Sequence, residues 1–212
     1  MVGVVLGIPG LTSDRRQLAT IGGAVTAAGL RFVALDLRGR GQAPRTGPGT
    51  YGWEAHARDV LATVTGPFAL VGVSMGASIA MKVAELDGAR VRAVVLVDVA
   101  GRVDPGVGAV VAEVVAAATD VDPAALDEDR ASVQLADPYA RWQHLTMPTL
   151  LLRATREMRP GVGFVVPAAD RDRFLAEVPR AELAEIDADH RTIPDHPAAA
   201  AATAAFLTRV LS

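Results

Sequence analysis

Residues 68–84 read FALVGVSMGASIAMKVA, an apolar run followed by a Gly-x-Ser-x-Gly pentapeptide and then by a stretch that can form a helix. In this order of strand, pentapeptide and helix, the serine lies on a tight turn with its hydroxyl exposed at the end of a sheet. The glycines matter because a β-carbon would clash where the chain reverses direction. Ser74 is therefore the first candidate nucleophile. The alternative interpretation is a tight strand-to-helix turn that a serine caps.

The composition favours a single domain with an aliphatic core. The chain has 212 residues, of which 50% are hydrophobic and only 4% aromatic. A chain of this length buries one good core, and no stretch looks like a linker, so we expect one domain over residues 1–212. We expect any pocket to be aliphatic, because Ala and Val dominate the apolar residues.

Charge and residue usage exclude several classes of function. The net charge of −3 provides no basic field for nucleic acid or for an anionic membrane surface. The chain has no cysteine, which excludes disulfides, thiolate metal sites and a cysteine nucleophile. No histidine and carboxylate cluster has the spacing of a metal site, so we expect neither a metal nor a cofactor.

The apolar segments predict no membrane span. The first residues look like a strand rather than a signal peptide, because they lack a basic leader and are broken by Pro9-Gly10. The apolar tract 107–118 contains Glu113 and is too short to cross a bilayer. We therefore expect a cytoplasmic protein whose partner is a small-molecule substrate.

Strand and helix patterns alternate along the chain, which predicts an α/β fold with a doubly wound, mostly parallel sheet of about six strands. The predicted strands are Val2–Leu6, Arg31–Leu35, Phe68–Val73, Val91–Val97, Thr149–Leu152 and Ala181–Ile186. The predicted helices between and after them are Arg15–Ala28, Trp53–Val64, Ser74–Leu86, Ala168–Val178 and Pro197–Leu211. Functional sites of such sheets lie at the carboxyl ends of the strands.

One interval, about residues 99–145, interrupts this alternation. It contains a helical pattern over Val107–Thr119, a second that Asp122 caps with Pro123 in the first helical position, and a short third one at Tyr139–His144. We interpret the insertion as a small helical cap over the strand ends, since loops there tend to carry function. A surface helical hairpin without a role in ligand binding is the alternative.

A serine nucleophile needs a base, and the base needs a carboxylate that orients it. His190 follows the last predicted strand and precedes the last helix, which brings it to the same sheet edge as Ser74. Two carboxylates follow strands, Glu157 and Asp98, and the sequence favours Glu157 because its strand directly precedes the one that leads to His190. Asp98 stays the alternative acid. Asp189, next to the histidine in sequence, is interpreted as structural.

The oxyanion formed during acyl transfer needs backbone N–H donors. Met75, the residue after the nucleophile, supplies one, and the turn after the first strand supplies the other. Within that turn we assign the second donor to Ile8, because Pro9 has no N–H group. A phosphate-binding loop would require a Gly-Lys-Ser/Thr sequence, which does not follow.

Together, these motifs resemble those of the α/β-hydrolase family. The elbow at Ser74, the late acid, the His190 loop and the sequence Asp36-Leu37-Arg38-Gly39-Arg40-Gly41 carry the resemblance, which covers the chain except for the cap. It implies that Asp36 and Arg38 are structural loop anchors. Two departures stand out. Where the family has His-Gly before the oxyanion residue, this chain has Leu6-Gly7. The family's leading antiparallel strand pair is also missing, which places the first strand close to an edge. An exposed edge can pair with a second copy, so a homodimer is as conceivable as a monomer.

The leading hypothesis is a serine hydrolase of small to medium apolar carboxylic esters or lactones that acts through an acyl-enzyme. Amide or carbon-carbon bond hydrolysis uses the same groups. The alternative from another class is a non-hydrolytic binding or tailoring protein that reuses the fold and the pocket. Arginines near the cap, which are Arg102, Arg130, Arg141 and Arg153, either hold a substrate carboxylate or are solvated and ion-paired.

Overall fold

The protein contains a six-stranded sheet in which all strand pairs are parallel. The computed structural model describes residues 4–135 and 137–212, so Val2 and Gly3 of the first predicted strand lie outside the described residues. The strand order is β2-β1-β3-β4-β5-β6. The strands are β1 (Val4–Ile8), β2 (Phe32–Ala34), β3 (Phe68–Val73), β4 (Val91–Val97), β5 (Thr149–Ala154) and β6 (Ala181–Ile186). The predicted doubly wound α/β sheet is confirmed, and it is wholly parallel.

The helices also follow the predicted pattern. They are α1 (Ala19–Ala27), α2 (Trp53–Ala62), α3 (Met75–Asp87), α4 (Val107–Ala116), α5 (Pro123–Leu135), α6 (Ala168–Glu177) and α7 (Pro197–Leu211). Short 3-10 helices cover Arg15–Leu18, Trp142–His144 and Ile193–Asp195. Among the described residues, no helix combines the length and the apolar character needed to cross a membrane.

Both faces of the sheet are covered, because the side chains of each strand alternate between two cores. Phe68 and Leu70 of β3 pack with α2, α3 and α6, whereas Val71 and Val73 pack with α1 and α7. Every residue of β3 is buried. This burial on both faces explains why the sequence of β3 is apolar throughout instead of alternating with polar residues.

The position of β1 agrees with its expected place near an edge. It lies between β2 and β3, so the edge strand is β2, which is three residues long and half-buried. Ser74 follows β3, and β1 lies directly beside β3. The turn after β1 and the turn after β3 therefore meet at one end of the sheet.

The helices α4 and α5 lie in the chain between β4 and β5, in the interval predicted to be an insertion. Helix α5 is fixed to the loop that follows β2. Glu128 accepts hydrogen bonds from the backbone N–H groups of Gly49 (2.6 Å) and Tyr51 (2.9 Å). Asp122 caps α5 as predicted, since its carboxylate accepts a bond from the N–H of Ala124 (3.0 Å).

The loop after β2 is itself held by the two residues predicted to be anchors. Asp36 accepts bonds from the backbone and guanidinium of Arg15 and from the N–H of Gln42. Arg38 forms an ion pair with Asp59 and donates to the carbonyl of Thr50. Burial alone would raise the pKa of Asp36, but the bonds from Arg15 and Gln42 outweigh it and hold the pKa below its usual value.

Candidate active site

Ser74 occupies a strained turn between β3 and α3. Its φ of 54° and ψ of −120° lie in a region that residues with a β-carbon rarely adopt. The N–H of Ser74 donates to the carbonyl of Val97 at the end of β4 (3.1 Å), which ties the turn to the neighbouring strand. The side chain of Ser74 makes no capping bond to α3. The Ser74 hydroxyl is therefore not used to cap the helix and is free to interact with other groups.

The two glycines of the pentapeptide allow the chain to pass close to itself. A β-carbon on Gly72 would overlap the carbonyl group of Gly76, and one on Gly76 would overlap the carbonyl oxygen of Ile8. These obstacles are backbone atoms, which cannot rotate away as a side chain can. Glycine at both positions is thus required by the packing of α3 against β1 and β3.

We expect Gly76→Ala to lower the free energy of unfolding by about 3 kcal/mol, because the new methyl group forces the turn apart. Gly23→Ala is the matched control, since a β-carbon on this exposed glycine of α1 meets no atom within 4 Å. The control is expected to raise stability by about 0.5–1 kcal/mol through helix propensity. Urea unfolding of both variants measures the difference, and equal stability would contradict the close approach.

Three side chains from separate loops form a continuous hydrogen-bonded chain. The Ser74 hydroxyl oxygen lies 2.9 Å from His190 Nε2, and His190 Nδ1 lies 2.9 Å from Asp98 Oδ2. Asp98 is 1% exposed, whereas Ser74 and His190 are partly exposed. The carboxylate is therefore shielded from water while the hydroxyl stays accessible to a ligand.

Asp98 directly follows β4 and is fixed in a left-handed conformation, with φ 53°. Its N–H donates to the carbonyl of Leu152 (2.8 Å), and its Oδ1 accepts from the N–H of Ala154 (2.8 Å). Both partners belong to β5. Since one carboxylate oxygen is held by the backbone, the other points at the imidazole and assigns the N–H of the ring to Nδ1.

The preference for Glu157 over Asp98 is corrected by this geometry. The Glu157 carboxylate accepts bonds from the N–H groups of Gly161 (2.7 Å) and Gly163 (3.1 Å), within its own loop. Glu157 lies three residues beyond the end of β5, whereas Asp98 lies directly after its strand. The signal in the sequence that could have identified Asp98 as the acid is its position directly after the end of a strand.

Both expected oxyanion donors lie next to the turn that holds Ser74. Met75 is the first residue of α3, and the first N–H groups of a helix have no acceptor within it. Ile8 is the last residue of β1, and its carbonyl lies against Gly76 of the same turn. Both residues are buried, so their backbone is positioned by the core.

The remaining candidates from the sequence have other partners. Asp189 shapes its own turn by accepting from the N–H groups of Arg191 and Thr192. The guanidinium carbon of Arg141 lies 4.9 Å from the centre of the Trp53 ring, and its Nε lies 3.4 Å from Glu85 Oε2. The buried Arg153 forms an ion pair with Glu185. These contacts favour the ion-paired interpretation for Arg141 and Arg153.

A buried charge cluster that the sequence did not predict lies where α5 meets α2 and the loop after β2. Arg40 and His56 both bind Asp129 of α5, with the His56 Nε2 to Asp129 Oδ1 distance at 2.8 Å, and all three are at most 1% exposed. His56 looks like an ordinary helix-face residue in the sequence. No local pattern in the sequence could have identified the cluster, because each of its members alone has an ordinary surface explanation. Arg40 also reaches Met75, with Nη1 4.0 Å from the thioether sulfur.

Within residues 4–135 and 137–212, no group of three or more histidine, aspartate or glutamate side chains converges as metal ligands do.

Known structures share this fold over almost the whole chain. An enol-lactonase from Burkholderia xenovorans LB400 is 18% identical, with a TM-score of 0.81, and the match covers 98% of this chain and 92% of that one. For a thermophilic esterase from Thermogutta terrifontis, solved with malate bound, the identity is 19%, the TM-score 0.79 and the coverage 99% and 90%. An N-formylmaleamic acid deformylase from Pseudomonas putida S16 is 19% identical, with a TM-score of 0.72 and a coverage of 97% and 92%.

Sequence comparison identifies the family directly. No curated protein sequence matches the chain significantly. A family model described as "Serine aminopeptidase, S33" matches residues 1–125, which include the turn at Ser74 and Asp98. With more than half of its length matched and with an α/β-hydrolase fold throughout, the chain belongs to the S33 serine aminopeptidase family and is a hydrolase of the α/β-hydrolase fold.

Proposed function

We propose that this protein is a serine hydrolase that cleaves a small to medium carboxylic ester or lactone through an acyl-enzyme. The observation that carries the proposal is the continuous chain of hydrogen bonds from the Ser74 hydroxyl through His190 to Asp98. A serine hydroxyl becomes nucleophilic at neutral pH when an adjacent base takes its proton. An imidazole held in one tautomer by a buried carboxylate is such a base.

The reaction proceeds in two stages. His190 Nε2 accepts the Ser74 proton while the hydroxyl oxygen attacks the acyl carbon, and the N–H groups of Ile8 and Met75 stabilise the oxyanion. His190 then donates its proton to the departing alkoxide, and the carbon-oxygen bond breaks to leave an ester of Ser74. Water, deprotonated by His190, attacks this acyl-enzyme and releases the acid. Asp98 stays ionised and stabilises the imidazolium in both stages.

Esters and lactones suit the site for two reasons. Besides its buried valines, the helix α4 exposes small residues such as Ala109 and Ala112 and one charged residue, Glu113, so this helix supplies aliphatic surface and no aromatic side chain. Two of the structural neighbours are an enol-lactonase and an esterase. The deformylase among the neighbours and the family name point to carbon-nitrogen bonds, which makes an amide the second substrate class to test.

A fluorophosphonate probe tests the proposal most directly. We expect covalent labelling of the purified protein, with the modified peptide containing Ser74 and with no labelling of the Ser74→Ala variant. A panel of p-nitrophenyl esters from acetate to octanoate, with matched p-nitroanilides, is expected to show turnover of the short and medium esters. A folded wild-type protein that is neither labelled nor active on any member of the panel would support a binding protein instead.

A further inference from the structure

Gln17 lies beside the proposed site without belonging to the hydrogen-bonded chain. It is in the 3-10 helix Arg15–Leu18, which follows the turn at the end of β1, and it is half-buried. Its side chain lines a cleft of about 730 Å³, together with Thr12, Arg40 and Val121. The cleft lies between the loops after β1 and β2 and the residues that precede α5.

The orientation of the Gln17 amide is fixed by the backbone. The N–H of Gly10 donates to Gln17 Oε1 at 2.8 Å. Since a backbone N–H can only donate, the oxygen must face Gly10, and the NH₂ group must face away from that bond. This is the one hydrogen bond that the side chain makes within the described part of the chain. Both N–H donors of Nε2 are therefore available to a ligand.

Gln17 and Ser74 border the same small space. A β-carbon on Gly10 would lie 3.3 Å from the β-carbon of Ser74 and 3.6 Å from Gln17 Nε2. Because residue 10 is a glycine, this space holds no side chain. The Gln17 amide and the Ser74 side chain thus lie close together across Gly10, on the β1 side of the site.

We propose that Gln17 is a specificity-determining residue whose Nε2 donates a hydrogen bond to an oxygen of the substrate near the reacting carbonyl group. The inference rests on the proposed function and deepens it. The substrates it selects are esters or lactones with an ether, carbonyl or carboxylate oxygen in the part that lies against Gly10. Thr12, Ser13 and Gln42 in the same cleft wall are polar, in keeping with a polar group on this side.

Two variants separate this role from a structural one. Gln17→Met has a similar length but can neither accept nor donate. Gln17→Glu keeps an acceptor for the N–H of Gly10 but loses the donor. Gln143→Met is the control, because Gln143 is exposed and bonds only to its neighbour Ala140. Thermal unfolding verifies that each variant is folded.

The readout is the ratio of kcat/KM for p-nitrophenyl methoxyacetate to that for p-nitrophenyl butyrate. The two acyl groups have the same number of heavy atoms and differ by one ether oxygen. We expect both Gln17→Met and Gln17→Glu to lower this ratio about tenfold relative to wild type, the usual effect of one hydrogen bond, and Gln143→Met to leave it unchanged. Comparing the same two esters in each protein cancels their different intrinsic reactivities.

Other outcomes are equally informative. If Gln17 only anchors Gly10, Gln17→Glu keeps the wild-type ratio and Gln17→Met slows both esters equally, which would overturn the inference while labelling at Ser74 still supports the hydrolase. If ester turnover is slow, the labelling rates of Ser74 by fluorophosphonates with methoxymethyl and propyl groups on phosphorus give the ratio. Absence of both labelling and turnover in wild type would instead overturn the proposed function, and this inference with it.

Discussion

The Asp98→Asn variant is expected to lose about 10⁴-fold in kcat while it stays folded. The reason is the fixed orientation of the carboxylate. Its Oδ1 accepts from the N–H of Ala154, so an asparagine places its carbonyl oxygen there and its NH₂ group against His190 Nδ1. Nδ1 must then accept, the ring proton moves to Nε2, and the imidazole faces Ser74 with a donor where it needs a lone pair.

Glu157→Gln is the matched control for this prediction. It removes the same charge from the carboxylate that the sequence favoured, but Glu157 binds the N–H groups of Gly161 and Gly163 instead of the imidazole. We expect its kcat to stay within about threefold of wild type, since surface substitutions of this kind change little. Steady-state kinetics on one short ester compares the two variants, and a larger loss for Glu157→Gln would return the orienting role to that residue.

The sheet could be predicted from the sequence because its physical signal is local. Strands buried on both faces have few polar positions, so the run 68–73 and, apart from Arg92, the run 91–97 stand out without tertiary information. The elbow was equally visible, since glycines flank a serine between a strand and a helix. Helix α7 begins and ends where its pattern predicts, at Pro197 and Leu211, because proline starts it and an alanine-rich run continues it.

The choice of acid could not be made from chain order alone. The sequence places β5 next to β6 and suggests that the residue after β5 reaches His190. The direction of the loop after β5 depends on the two N–H groups that bind Glu157 four and six residues later, which no periodicity records. The left-handed backbone of Asp98, which aims its side chain toward the imidazole, is likewise a tertiary outcome.

The buried cluster of Arg40, His56 and Asp129 is a further case of long-range information. Asp129 of α5 is 73 residues from His56 of α2 and 89 residues from Arg40 of the loop after β2. Each residue alone has an ordinary surface explanation. Only the complete fold brings two basic side chains to one carboxylate, and this contact joins α5 to α2 and to the loop after β2.

Asp129→Leu is expected to lower the free energy of unfolding by about 3–5 kcal/mol, because it leaves the Arg40 guanidinium buried without its counterion. Asp127→Leu is the matched control on the same helix. Asp127 is exposed, and because it precedes Asp129 by two residues it lies on the opposite side of the helix from the cluster. The double variant Arg40→Met/Asp129→Leu is expected to recover much of the loss, as apolar replacements of buried ion pairs often do. Urea unfolding of wild type and these three variants measures the differences.

The dependence on pH gives this prediction a second, independent readout. Burial raises the pKa of Asp129, but the hydrogen bond and charge of His56 and the charge of Arg40 outweigh it, so its pKa lies below the usual value. A carboxylate whose pKa is lowered by folding stabilises the protein above its unfolded pKa, about 3.9, and loses that contribution as the pH falls through the folded pKa. The stability difference between wild type and Asp129→Leu should therefore be constant near neutrality and shrink only in strong acid. A difference that already shrinks between pH 7 and 5 would show that the stabilisation depends on another group, because Asp129 stays ionised throughout that range.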